Sequence, residues 1–488
     1  MPLSDIQKNR LKKLERIRKL RINPYPEKTK RTHSINEVLE DFDKLSKSKK
    51  QIRLAGRIYS IRVHGGSTFL HFGDETAKIQ SFFQRDKLGP KSYQFFLDNF
   101  DIGDFTEISG VLFRTKKGEK TIEAHDYRIL TKSLLPLPEK WHGLKDVEIR
   151  FRKRYLDLIF NPEVKNKFEI RSKIIKEIRN FLEEKGFLEV ETPILQSIYG
   201  GAKAEPFKTH LNALNMDLYL RISLELYLKR LIVGGFGKVY EIGKCFRNEG
   251  IDRFHNPDFT MLEFYWAYAD YEDLMELTEE MLKDLVRKIK GTLRFEYKGK
   301  MLDFKTPWPK IEFSQLLKKE ANINIEEIHP EAIKKEAQKM GIRVKEGEGK
   351  SEIADKIYKK TCRPKIWNPV FVIHHLPEAF PLAKPFEKNP NKLANFQLVV
   401  ADWELVNAFS ELNDPIEQRK RFEEQEKMYK KGFKEAQRMD KDFIEALEYG
   451  MPPTAGFGMG IDRLVALLTD SHNLREVILF PTMRPREK

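Results

Sequence analysis

A guanidinium, a carboxylate and an aromatic ring fall within thirteen residues in Arg247-Asn248-Glu249 and His255-Asn256-Pro257-Asp258-Phe259. A guanidinium can hold a phosphate or carboxylate in two parallel hydrogen bonds and offset charge in an acyl-phosphate displacement. An aromatic ring such as Phe259 can stack on a purine. The other reading of this segment is a strand–loop–strand carrying surface ion pairs. A second group, Gly456-Phe457-Gly458-Met459-Gly460-Ile461-Asp462-Arg463, is glycine-rich, and glycines let a backbone approach a ligand closely. A helix is predicted to begin near Ile461, which puts Arg463 in its first turn beside the positive helix end. The glycine turn lacks the spacing of a Rossmann or P-loop site.

These groups need a scaffold. Apolar residues at 168, 175, 178 and 182 predict a helical face over Phe168–Leu182, stopped by a left-handed Gly186. Phe187–Leu195 reads as a strand broken at Pro193. From about residue 151 to the C-terminus the pattern is α+β, with a charged helical insertion expected at 310–362.

Upstream, Ile52–Ile61, Thr68–Phe72, Ala77–Phe83, Phe105–Phe113 and Thr121–Ile129 read as short strands, with a helix at Lys91–Asn99 between the third and fourth. Five strands with that helix suggest an OB-fold β-barrel over 51–135, although pattern alone leaves another small barrel open. Residues 136–150 are expected to form a linker. Residues 1–50 are expected as a basic extension, with a helix at 4–22 whose apolar stripe is Leu11, Leu14, Ile17 and Leu20.

Charge narrows the partners. The net charge is +15, and the first fifty residues hold fifteen Lys/Arg against seven Asp/Glu, a difference of +8. A one-sided cationic surface favours a polyanion, while the other reading is a solvated helix docked on its own protein. Two cysteines, Cys245 and Cys362, make no disulfide framework and no cysteine-based zinc site. No apolar run spans a bilayer, and the basic, amphipathic N-terminus lacks an apolar signal core, so a reducing cytoplasm is expected.

The helix–Gly186–strand piece, the arginine–histidine–phenylalanine piece and the glycine–arginine piece, in this order, resemble the three motifs of the class II aminoacyl-tRNA synthetases. The similarity covers nearly the whole chain. It is closest to the lysine subgroup, on Gly200-Gly201-Ala202, Arg247-Asn248-Glu249-Gly250, Tyr268-Ala269-Asp270-Tyr271, Asn407-Ala408-Phe409-Ser410-Glu411-Leu412-Asn413-Asp414 and Pro452-Pro453-Thr454-Ala455-Gly456. The resemblance implies activation of L-lysine with ATP to lysyl-adenylate and pyrophosphate, followed by transfer to the terminal ribose of tRNA. It implies Glu263, Tyr265 and Glu411 around the ε-ammonium, Glu225 and the Gly201 backbone near the α-ammonium, Arg247 on the carboxylate, and Asn407 and Phe409 in the same lysine pocket. For ATP it implies Arg247 at the α-phosphate, Glu249 and Phe259 at the adenine, and His255 and Arg463 at the β- and γ-phosphates. Glu404, also counted with ATP, and Glu411 are implied as magnesium ligands. Arg62, Phe69 and Gln80 match anticodon-reading positions, and a homodimer is implied.

The chain departs from the family pattern where Gln397 replaces a carboxylate, where Glu205 precedes Pro206, and where Phe254 precedes His255 with Arg253 one residue earlier. Two rivals stand beside this reading. A ligase that attaches lysine to a protein would typically lack the OB domain. An inactive RNA-binding relative would lack Arg247, Glu249 or Arg463, all of which are present.

Overall fold

Alternation with a period of two organises the N-terminal part. Ile52, Leu54 and Ile58 are buried, whereas Arg53, Ala55 and Arg57 between them are half-exposed, as a strand with one dry face requires. After α1 (Asp5–Lys19) come β1 (Ile52–His64), β2 (Ser67–Gly73), β3 (Lys78–Gln84), α2 (Pro90–Asn99), β4 (Phe105–Arg114) and β5 (Lys120–Thr131). The strands close into a barrel in the order β1-β2-β3-β5-β4, with the β3–β5 pair parallel. Each strand expected from the sequence is present, α2 lies where a helix was expected, and the barrel is the OB-fold.

The computed structural model describes residues 4–138, 146–345, 347–432 and 435–485, and the chain divides into two units, Met1–Lys145 and Asp146–Lys488. Part of the expected linker, 139–145, lies outside the described residues.

Helix α1 is capped by Ser4, whose hydroxyl accepts from the Gln7 backbone while the Gln7 side chain accepts from the Ser4 backbone. Its stripe differs from expectation. Leu14 and Ile17 are buried, Leu11 is half-buried, and Leu20, just past the last helical residue, is 56 % exposed. Arg10 is buried instead. Its guanidinium donates to the carbonyls of Ile102, Ser133 and Leu135, and Lys13 pairs with Asp101 at 2.7 Å. Part of the basic face is therefore structural. Ile17, Ile35, Val38 and Phe42 belong to the barrel's own core, so the first fifty residues complete that core rather than trailing from it.

In the second unit α3 (Pro162–Glu184) buries Val164, Ile174, Ile178, Phe181 and Leu182, with Phe168 and Ile175 half-buried, and Gly186 follows at φ +80°. The strand expected at 187–195 does not form as one piece. Only β6 (Leu188–Glu189) and a separate pair, Leu195–Gln196, are extended ladders. Between them the Thr192 backbone and hydroxyl donate to Glu241, and Pro193 has no N–H to give.

The central sheet is then built from α4 (Glu225–Val233), β7 (Lys238–Phe246), β8 (Asp258–Ala267), α5 (Tyr271–Lys290), β9 (Lys310–Glu312), β10 (Val370–Ile373), β11 (Asn395–Val400), β12 (Trp403–Ser410) and β13 (Thr454–Gly460). Its strand order is β9-β10-β11-β12-β13-β8-β7-β6, antiparallel except at its two outer pairs. The glycine-rich segment, expected as a turn, is the central strand β13, and a final helix (Ile461–Leu468) starts where expected. The expected insertion at 310–362 begins with a strand of this sheet. The inserted part proper runs from Phe313 through the helices Phe313–Ala321, Pro330–Lys339 and Lys350–Ile357, and its core packs against Val372 and Val399. Both cysteines are free and buried, and no described helix is long and apolar enough to cross a membrane.

A buried ion cluster ties the barrel shut. Lys132 Nζ donates to the Asn99 carbonyl at 2.8 Å, to Asp101 at 2.5 Å and to Asp104 at 2.7 Å, and both Lys132 and Asp104 are fully buried. Removing one partner of a buried pair leaves an uncompensated charge, at a cost of about 3–5 kcal/mol. Lys132→Met is expected to speed amide exchange across 99–132, read by mass spectrometry on the full chain, with 146–485 unaffected. Unchanged exchange in those peptides would mean that the cluster contributes little.

Candidate active site

The spacing Gly-x-Gly-x-Gly in β13 puts Gly456, Gly458 and Gly460 on one face, because a strand repeats every two residues. Phe457 and Met459 point the other way into the core, where Phe457 stacks on Phe264 at 4.3 Å. The register turns this into a trough. Across the sheet Gln397, Asn407, Gly458, Glu263 and Glu241 form one row, and Asn395, Phe409, Gly456, Tyr265 and Val239 form the next. A Cβ on Gly456 would come within 2.0 Å of Glu411 Oε1 and 2.5 Å of Tyr265 Cε1, so glycine is required there. The trough opens into a cavity of about 620 Å³ lined by Gly201, Glu225, Arg247, Glu249, Phe259, Glu263 and Arg463, among others.

Acidic groups crowd one end. Glu263 is buried and accepts from the Ser223 hydroxyl at 2.9 Å, the Leu224 backbone at 3.1 Å and the Tyr265 hydroxyl at 3.3 Å. Burial and the nearby Glu225 charge push its carboxyl up to about 7. Glu225 and Glu411 share Lys229, which is fully buried: its Nζ lies 2.5 Å from Glu225 and forms a close ion pair with Glu411. Burial drives the Glu225 and Glu411 carboxyls upward, and Lys229 pulls both back toward the charged form. Gly201, at φ +84°, passes so close that a Cβ would meet Ser223 Oγ at 2.8 Å and Glu225 Cβ at 3.0 Å. Lys229 was not singled out from the sequence. Its signal, a Glu–Lys pair four apart on a helix, is the same as that of an ordinary surface pair.

Cationic groups hold the other side. Arg247 donates to the Ile222 carbonyl at 3.3 Å, and its guanidinium stands 5.0 Å from the Phe259 ring. Glu249 is held above the usual carboxylate range by burial, with Arg247 opposing and Glu435 adding to the shift. Arg463 donates to the Glu404 carbonyl at 2.8 Å. His255 is exposed and its Nδ1 lies 3.0 Å from Asp252. Phe254 packs edge-on against Trp403, and Arg253 lies over the Phe254 ring. Glu205 enters through its backbone, accepting from the Asn248 N–H at 2.8 Å.

Glu404 and Glu411, implied as magnesium ligands, differ in their surroundings: Glu404 lies on β12 and lines the cavity, whereas Glu411, just past the end of that strand, is paired with the buried Lys229. Gln397, buried at 2 % exposure, leaves Oε1 without a protein partner, as Asn407 leaves Oδ1. Among the described residues no group of three or more His, Cys, Asp or Glu could hold a metal.

On the barrel, Arg62, Phe69 and Phe82 are cross-strand neighbours on β1, β2 and β3, and Phe69 stacks on Phe82 at 4.6 Å. Neither ring is fully buried, and neither is in the core. Phe82 was missed, although its place opposite Phe69 follows once the register is known. Gln80 is 7 % exposed, donates to Glu119 at 2.8 Å and accepts from Thr121 at 3.0 Å, and His71 meets the same Glu119 at 2.8 Å.

Comparison with known proteins agrees with this geometry. Residues 146–484 match the family described as tRNA synthetases class II (D, K and N), and residues 52–130 match the OB-fold nucleic acid binding domain. The chain is 49 % identical to the lysine–tRNA ligase of Carboxydothermus hydrogenoformans, with 99 % of each chain covered. It is 49 % identical to that of Pelotomaculum thermopropionicum over 99 % of this chain and 96 % of the relative. Identity to the Thermotoga maritima ligase is 45 %, over 99 % and 97 %. A synthetase sheet with its glycine trough, a barrel domain earlier in the chain, and full-length identity near one half place the chain in the lysine–tRNA ligase family of class II tRNA synthetases.

Proposed function

We propose that this protein activates L-lysine with ATP to lysyl-adenylate and pyrophosphate and then passes lysine to the terminal ribose of its tRNA. The observation that carries the reading is the buried acidic end of the trough, where Glu225, Glu263 and Glu411 face only one buried lysine. Such a pocket is completed by a ligand that brings ammonium groups.

Catalysis needs no side-chain nucleophile. The carboxylate of lysine attacks the α-phosphorus and pyrophosphate leaves. The ribose hydroxyl of tRNA then attacks the adenylate carbonyl and AMP leaves. The protein contributes positioning and charge. Glu263, Tyr265 and Glu411 take the ε-ammonium, with Asn407 and Phe409 walling the side chain. Glu225 and the Gly201 backbone take the α-ammonium. Arg247 bridges the lysine carboxylate and the α-phosphate, Phe259 and Glu249 hold the adenine, and His255 and Arg463 meet the outer phosphates.

The residues present fit a magnesium ion held mainly by those phosphates. Glu404 offers a carboxylate, and Gln397, two residues along from the strand partner of Glu404, offers an unpartnered amide oxygen. When bound, the ion neutralises phosphate charge. On the barrel, Arg62, Phe69 and Gln80 read anticodon bases, joined by Phe82 as a second stacking ring.

Lysine-dependent exchange of pyrophosphate into ATP, without tRNA, tests the activity. A response to aspartate or asparagine but not lysine overturns it. Glu263→Gln and Glu411→Gln are each expected to lose about 2–5 kcal/mol of transition-state binding for lysine. Because the Glu263 carboxyl sits near 7 in the free protein, it is protonated below that pH, and an ammonium needs the anion. The KM for lysine should therefore rise as pH falls through about 7, and Glu263→Gln should abolish that inflection.

Gln397→Glu supplies the missing charge and is expected to lower the magnesium needed for half-maximal exchange at fixed ATP. Overlapping titrations would mean that position 397 does not touch the metal.

Phe69→Ala and Phe82→Ala should each weaken tRNA charging by about 1–3 kcal/mol of stacking while leaving exchange intact. Equal charging by wild type and both variants would remove the barrel face from recognition.

A further inference from the structure

The inserted part ends in an unusual turn. Residues Tyr358–Cys362 are wound as a π-helix, and the extra residue per turn re-aims the side chains that follow. Tyr358 and Cys362 are fully buried in the insertion's core, while Lys359 projects the other way and lines the catalytic cavity. Its side chain is 46 % exposed, and Nζ lies 2.7 Å from Asp355 on the preceding helix. The next cation, Arg363, donates to Asp402 at 3.4 Å and stands 3.8 Å from the Glu404 carboxylate. Glu404 is also the residue whose carbonyl accepts from Arg463. Two cations of different origin thus meet Glu404, Arg463 from the last helix and Arg363 from the end of the insertion, and Lys359 from the π-turn lines the same cavity within reach of the Glu404 charge. Of the other insertion cations lining the cavity, Lys356 is held by Glu348 at 2.6 Å and Lys345 is exposed.

We propose that Lys359 is a pyrophosphate-binding cation that the insertion lends to the catalytic cavity, exchanging Asp355 for a phosphate oxygen when ATP is bound or cleaved. This rests on the activation reaction above. Cleavage at the α-phosphorus concentrates charge on the departing pyrophosphate, and an accessible ammonium held by one carboxylate can follow that charge. Arg363 is the positioning partner, since it holds the side chain of Glu404, and Lys359 is the group that touches the anion.

The test titrates inorganic pyrophosphate, at fixed magnesium, into the full-length protein and its variants by calorimetry, with adenosine as a phosphate-free control. Lys359→Met is expected to weaken pyrophosphate binding and raise the KM for ATP by about tenfold, the usual scale of one charge-assisted hydrogen bond. Adenosine binding and the KM for lysine should hold, and Lys359→Arg should restore most of the loss. Asp355→Asn, which frees the ammonium, should bind pyrophosphate at least as tightly as wild type. Pyrophosphate affinity within twofold of wild type in Lys359→Met overturns the proposal, as does an equal rise in the KM values for ATP and lysine, which marks a merely structural role. Wild-type protein that binds pyrophosphate through Lys359 but shows no lysine-dependent exchange would sink the activity and leave this contact standing.

Discussion

Three carboxylates buried together are unstable unless something cationic is buried with them, and the catalytic unit is organised around that constraint. Lys229 supplies one positive charge between Glu225 and Glu411. Glu263 is held by neutral donors, Ser223, Leu224 and Tyr265, with Arg247 the cation that acts on it. Gly456 and Gly201 make room for this cluster, and a single methyl at position 456 would collide with it. The pocket is an ion-pair network rich in carboxylates, and the proposed specificity rests on that excess. A neutral side chain would leave Glu263 carrying the cost of its burial, whereas an ammonium relieves it.

A parallel device stands beside it. Arg221 and Glu241 form a buried pair at 2.6 Å, and Gly243 leaves space for the guanidinium, which a Cβ would approach within 2.2 Å. Glu241 lies in the same cross-strand row as Glu263, Gly458, Asn407 and Gln397. The sheet thus carries a line of polar groups across five strands, matched by a protein cation at the Glu241 end and left open in the middle.

Much of this was legible in the sequence. The barrel strands announced themselves through alternation, and the Arg247 and Arg463 segments through residue types that resemble family motifs. What was hidden depended on register. Gly456 to Gly460 reads as a turn, because nothing local says that both neighbouring strands place side chains opposite Gly456 and Gly458. Lys229 reads as a surface residue, because its second partner, Glu411, lies 182 positions away in the chain. The Lys229 partnership of Glu411, which the resemblance implies as a magnesium ligand, was hidden in the same way. The strand expected at 187–195 failed because Thr192 spends its donors on Glu241.

The anchoring of Arg10 has a consequence for how the chain is made. Its guanidinium is satisfied by carbonyls at Ile102, Ser133 and Leu135, the last 125 residues downstream. This helix therefore has no seat until the last part of its unit has been synthesised. At about 5–20 residues per second that wait is roughly 6–25 seconds. Throughout it a basic amphipathic helix waits with Leu14 and Ile17 uncovered. The Ser4–Gln7 capping box, unneeded once the helix is docked, gives local order to a segment that must wait longest for its tertiary contacts.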